Sequence, residues 1–253
     1  DGVVAACAAE PACAARYPSL RRDVARAFDR LRDRPARVMV TDEGGEPREG
    51  WLTRGELAEA VRYQLYTVGG AANLPRLLSL AAAGEYTPIA QASVLNRRRL
   101  EEQLNRGMFL SVTCAEDVPL MSEAAIRASS RGTRLGDYRT RQQVAACRDW
   151  PRGESRWWAA PASPDKPAPI AAPALVLNGE FDPATPPEWA RRAMALLPNG
   201  RLVIVPGGAH GFDRLGVDAC IARVIVDFFD RGAAKGVETS CVAAAKRPPF
   251  TLQ

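Results

Sequence analysis

The sequence predicts an α/β fold, with a parallel sheet and flanking helices in its C-terminal part, preceded by a mainly helical region. Three observations carry this expectation. Residues 1–107 repeat apolar side chains at helical spacing around one hairpin signal. A loop at 159–173 contains five prolines, which excludes helix there. Beyond it the pattern changes to strand, helix, strand, helix, the order that builds a parallel sheet. The expected division is a helical region at 1–107 and a core portion at 108–253.

Element by element, Leu20, Val24, Phe28 and Leu31 lie on one face of an amphipathic helix that ends near Asp33. A hairpin follows, from Arg37–Thr41 through the Gly-rich turn Asp42-Glu43-Gly44-Gly45 to Arg48–Leu52. Thr53-Arg54-Gly55-Glu56 is a capping box for a helix carrying Leu57, Val61, Leu65 and Tyr66. Two further helices are expected at about 74–84 and 88–106. Met108–Thr113 is a short apolar run with β-branched residues and reads as a buried strand. A helical stretch from Ser122 leads to Cys147-Arg148-Asp149-Trp150-Pro151. After the proline loop, Ala174–Asn178 and Leu202–Val205 read as parallel strands buried on both faces. Between them a helix begins at Thr185-Pro186-Pro187-Glu188, with Thr185 as N-cap and Glu188 closing a capping box. A last helix covers about 217–230, with Val217, Ile221, Val224, Ile225 and Phe228.

Composition narrows the function classes. The 253 residues suffice to bury a core, and 47% hydrophobic with 25% charged residues is ordinary for a globular chain. No run of about 18 apolar residues occurs, so no membrane-spanning helix is expected. The net charge of +5 comes almost wholly from arginine, since lysine occurs only at Lys166, Lys235 and Lys246. The arginines are scattered beside acids, as in Arg21-Arg22-Asp23, and make solvated helix faces. A nucleic-acid binder would need a basic patch with interleaved aromatics, and none is seen. The chain opens on Asp1-Gly2-Val3-Val4 with neither methionine nor signal peptide, as expected of a processed or truncated end.

The six cysteines fall into near pairs: Cys7 with Cys13, Cys114 with Cys147, and Cys220 with Cys241. Zinc would need Cys-x-x-Cys pairs or histidines, and His210 is the only histidine, so neither metal nor cofactor is implied. Three local disulfides in an oxidising compartment are the favoured reading. The alternative is six reduced, buried thiols in a cytosolic enzyme, and six cysteines admit fifteen connectivities.

Two loops stand out. Asn178-Gly179-Glu180-Phe181-Asp182 follows one parallel strand, and Gly207-Gly208-Ala209-His210-Gly211 follows the next. Ligands of open α/β sheets bind beyond the carboxyl ends of the strands, so Asp182 and His210 fall at the functional edge. A carboxylate accepting the imidazole Nδ1–H fixes its tautomer and frees the other nitrogen to deprotonate a nucleophile.

On these residues the sequence resembles the C-terminal part of α/β-hydrolases, and most closely the secreted tripeptidyl aminopeptidase and proline iminopeptidase-like branch. Thr113-Cys114-Ala115-Glu116-Asp117, Cys147-Arg148-Asp149-Trp150-Pro151 and the Cys220–Cys241 tail resemble landmarks of that branch. The resemblance covers about 105–245 well and the N-terminal region more loosely, as a helical cap. It implies a Ser-His-Asp hydrolase acting on peptide or ester substrates, secreted or periplasmic, with Asp182 and His210 as acid and base. Glu116 and Asp117 become candidates to hold a peptide's free α-amino group, or to cap the following helix. The family's Gly-x-Ser-x-Gly elbow does not occur; Gly153-Glu154-Ser155-Arg156-Trp157 lacks the second glycine and lies in the wrong chain order. The resemblance thus implies that the nucleophile and the N-terminal half of the fold lie outside this chain, which alone is expected to be inactive. An esterase-type hydrolase and a non-catalytic secreted binding module with a relic triad are the alternatives.

Overall fold

A computed structural model describes residues 1–42, 44–153 and 168–253. Its helices are α1 (Gly2–Ala9), α2 (Pro11–Arg16), α3 (Leu20–Arg30), α4 (Arg54–Leu65), α5 (Val68–Ala83), α6 (Thr87–Gln103), α7 (Arg106–Glu116), α8 (Glu123–Ser130), α9 (Tyr138–Ala146), α10 (Pro187–Met194) and α11 (Asp218–Arg231). The strands are β1 (Ala36–Thr41), β2 (Pro47–Leu52), β3 (Ala174–Gly179) and β4 (Gly200–Val205). Residues 154–167, with most of the proline loop and the Ser155 motif, lie outside the described residues. No described helix is long and apolar enough to cross a membrane. Three disulfides join the sequential pairs Cys7–Cys13, Cys114–Cys147 and Cys220–Cys241, consistent with an oxidising, extracellular location.

The described residues divide into two compact units. One comprises 1–20, 62–76 and 168–253. Its sheet is the parallel pair β3–β4, in register from Ala174↔Gly200 to Gly179↔Val205. One face is covered by α11 and its approach: Val203, Val205, Leu215, Val217, Ile221 and Val224 form the buried cluster, with Leu175 and Leu177 packed against it. Gly232 at φ 59° ends α11 in the left-handed region. The C-terminal segment is tied down by Thr251 N–H donating to Ala72 O (3.0 Å) and Tyr17 Oη to Thr251 O (2.8 Å). The strands differ from expectation in burial. Only the last two residues of β3 and Val203 and Val205 of β4 are fully buried, because among the described residues the sheet has two strands and one open edge on each.

The other unit comprises 21–61 and 77–153 of the described residues. β1 and β2 form the predicted antiparallel hairpin, Ala36 opposite Leu52. Thr41 N–H donates to Gln91 Oε1 (2.6 Å) and so ties β1 to α6. The capping box of α4 forms as read: Glu56 N–H donates to Thr53 Oγ1 (3.2 Å) and Thr53 N–H to Glu56 Oε2 (2.6 Å). The start of α5, which belongs to the first unit, comes earlier than expected because Thr67 caps it, accepting Gly70 N–H at 3.0 Å, and Pro75 is accommodated inside.

The expected strand at 108–113 is overturned: the run lies inside α7. Asn105 caps that helix by accepting Met108 N–H at 2.9 Å. Met108 and Val112 are exposed, while Cys114 is buried with Val118 and Cys147, and Leu110 packs on them. A six-residue apolar run does not separate helix from strand by period alone. Here the cap and the disulfide decide it. The expected capping role of Thr185 also fails. Pro186 is the N-cap of α10, and the Thr185 hydroxyl is turned to Asp182 instead.

Candidate active site

The site is built where β3 and β4 end side by side. The two loops that follow are laced through their backbones: Glu180 N–H donates to Val205 O (3.1 Å) and Phe181 N–H to Gly208 O (2.7 Å). The Glu180 carboxylate accepts Gly207 N–H at 2.8 Å. This approach demands glycine, since a Cβ on Gly179 would lie 2.0 Å from Ala209 O.

Asp182 is buried, 7% exposed, and its carboxylate is saturated with donors. Oδ1 accepts Ala184 N–H (2.8 Å) and Thr185 N–H (2.9 Å), while Oδ2 accepts the Thr185 hydroxyl (2.9 Å) and Asn178 Nδ2 (3.3 Å). Burial pushes the carboxyl up, but the Thr185 N–H, His210, the Thr185 hydroxyl and the Ala184 N–H together hold it below its ordinary range.

His210 Nδ1 stands 3.0 Å from Asp182 Oδ1 and 2.9 Å from Oδ2. An ionised carboxylate only accepts, so Nδ1 donates, and in the neutral ring Nε2 is the free acceptor. The His210 side chain is 43% exposed, against 5% for Asp182. A buried acid thus orients a reachable base, the arrangement that activates a nucleophile or protonates a leaving group. Two residues of the site were not read from sequence in their roles. The sequence context of Thr185 suggests a helix cap, although an Asp-Pro-Ala-Thr turn is also a signal for local side-chain hydrogen bonds. Tyr66, read only as a helix-face residue, sets its ring edge-on to the imidazole, centroids 5.2 Å apart.

Glu116 and Asp117 belong to the second unit, at the C-terminal end of α7, Glu116 half-buried and Asp117 exposed. The Asp117 side chain caps nothing; its backbone N–H donates to Thr113 O. The six cysteines are all in disulfides. Among the described residues no group of three or more His, Cys, Asp or Glu side chains could hold a metal ion.

No curated protein and no solved structure matches the chain significantly. Residues 133–241, which contain both Asp182 and His210, match the family model for TAP-like proteins, and this supports a relation to the α/β-hydrolase superfamily and a hydrolase of that type.

Proposed function

We propose that the chain carries the acid and the base of a secreted serine aminopeptidase of the tripeptidyl aminopeptidase-like kind, one that releases N-terminal residues or short peptides. The observation that carries the reading is the buried Asp182 carboxylate held 2.9 Å from His210 Nδ1 at adjoining ends of parallel strands. In this mechanism His210 Nε2 takes the proton of a serine as its oxygen attacks the scissile carbonyl. Asp182 stabilises the resulting imidazolium, which then protonates the departing amine and leaves an acyl-enzyme. Water, deprotonated by the same nitrogen, releases the acid. The serine is not present here in a Gly-x-Ser-x-Gly elbow, so it is supplied from outside these residues. Glu116 and Asp117 are proposed to hold the substrate's α-ammonium.

The missing elbow also favours a second reading, a secreted binding module with a relic acid–base pair. One experiment separates the two. The longest open reading frame containing the chain is assayed against aminoacyl and tripeptidyl coumarin amides and against short-chain esters. Amide turnover that falls by roughly 10⁴-fold in Asp182→Asn is the expected result. Turnover of esters alone would indicate the esterase, and no turnover of either the binding module. An unchanged KM for the amides in Glu116→Gln and Asp117→Asn would remove those residues as anchors.

A further inference from the structure

The imidazole of His210 is held on one edge by Asp182 and is otherwise reachable from solvent, so a second contact must decide how firmly it stays there. That contact is Tyr66, in the turn between α4 and α5 and in the same unit as the acid and base. The tyrosine is itself gripped from behind. Arg62 Nη1 donates to Tyr66 Oη at 2.8 Å, and the Arg62 guanidinium lies over both the Tyr66 ring (5.1 Å) and the Tyr63 ring (4.5 Å). Arg62 is only 9% exposed, a burial that arginine accepts only when its donors are used. The turn that presents the ring is equally fixed. Gly70 approaches so closely that a Cβ there would lie 2.2 Å from Gln64 O, and Thr67 caps α5 through Gly70 N–H.

We propose that Tyr66 is a positioning residue for His210: its ring blocks the imidazole from swinging off Asp182, and Arg62 locks the ring through the phenolic oxygen. An edge-to-face contact adds to burial, and its two ends are anchored to different elements of the fold. The inference rests on the proposed acid–base role of the pair, but its test does not need turnover.

His210 is the sole histidine, so the whole chain labelled with ¹³C,¹⁵N-histidine gives the spectrum of one imidazole. Wild type should show a protonated Nδ1 whose proton exchanges slowly with water. In Tyr66→Ala that proton should exchange about two- to tenfold faster, the factor an edge-to-face contact is worth, with the Nε2–H tautomer appearing. Tyr66→Phe, which keeps the ring and loses the tether, and Arg62→Met should both fall between. An unchanged tautomer and rate in a folded Tyr66→Ala would overturn the proposal. If Tyr66→Ala does not fold, wild-type rates in both Tyr66→Phe and Arg62→Met would overturn it. Asp182→Asn isolates the reading beneath. If it leaves the Nδ1 proton as in wild type, the acid–base pair itself fails; if only Tyr66→Ala is silent, the positioning role alone fails.

Discussion

Gly179→Ala should separate the acid from the base without touching either. Gly179 closes β3 where the two site loops meet, and a Cβ there would lie 2.0 Å from Ala209 O and 2.7 Å from Gly208 C and O. Real Cβ contacts do not fall below 3.0 Å, so a loop must retreat by at least about 1 Å. The obstructing atoms are backbone, so no side chain can rotate away. Ala209 precedes His210, and Asp182 N–H donates to Gly179 O, so the retreat pulls directly on the pair. A bond of 2.9 Å stretched by that amount reaches about 4 Å and is lost. Overpacking of this kind costs about 1–3 kcal/mol, at about 2–4 °C of melting temperature per kcal/mol for a chain of this size. Gly211→Ala is the control from the same loop: its Cβ would meet nothing closer than Asp213 Oδ1 at 3.7 Å. Thermal melts followed by circular dichroism read the stability, and the His210 tautomer reads the pair. Gly179→Ala melting like Gly211→Ala, with the Nδ1 proton retained, would refute the reasoning.

Acid lability follows from the depressed Asp182 carboxyl. A carboxyl held below its unfolded value of about 3.9 contributes stability that is present above that pH and is lost as pH falls through the lower folded value. Asp182→Asn should therefore lose less melting temperature than wild type between pH 5 and pH 2, and equal acid limbs would count against the assignment. The disulfides should rank by loop size, with Cys114–Cys147, Cys220–Cys241 and Cys7–Cys13 closing separations of 33, 21 and 6 residues. Chain entropy gives about 3.7, 3.3 and 2.2 kcal/mol for them in that order, so paired Cys→Ser variants compared by urea melts should follow the same order. Thr53→Ala removes the acceptor for Glu56 N–H and should cost about 1 kcal/mol, read as a lower urea midpoint.

The meeting of Asp182 with His210 was legible because strand signals and a crossover fix which loops fall side by side. β3 and β4 are short apolar runs, a helix separates them, and residues after their carboxyl ends meet whatever the side chains between do. The cysteine pairs were legible for the same kind of reason: each closes over local structure. What failed was any feature decided by a side-chain partner that hydrophobic periodicity does not reveal. Met108–Thr113 has the composition of a strand, yet it folds as α7 because Asn105 caps it and Cys114 must reach Cys147. Thr185 has the sequence context of a cap, yet its hydroxyl donates to the buried Asp182 carboxylate three residues earlier, at 2.9 Å, and Pro186 takes the N-cap position of α10. Tyr66 is legible as a helix-face residue but not as a neighbour of His210, because nothing local to 62–70 announces a histidine at 210.

The locality of the Asp182 shell has a further consequence for what the chain can be. Every donor found on its carboxylate comes from residues between 178 and 210, on one strand end, one turn and one loop. The acid is therefore ionised and oriented by the strand pair itself, and the base is aimed by the acid. Neither step needs a serine to be present. An enzyme assembled in this way has its proton-transfer machinery set before the nucleophile arrives, with the reorganisation cost already met in folding. A relic would be under no such requirement. A buried carboxylate that nothing uses is a liability, because replacing it and its partners with apolar groups of similar shape is neutral or stabilising. The full donor set around Asp182 thus supports the proposed enzyme over the proposed binding module.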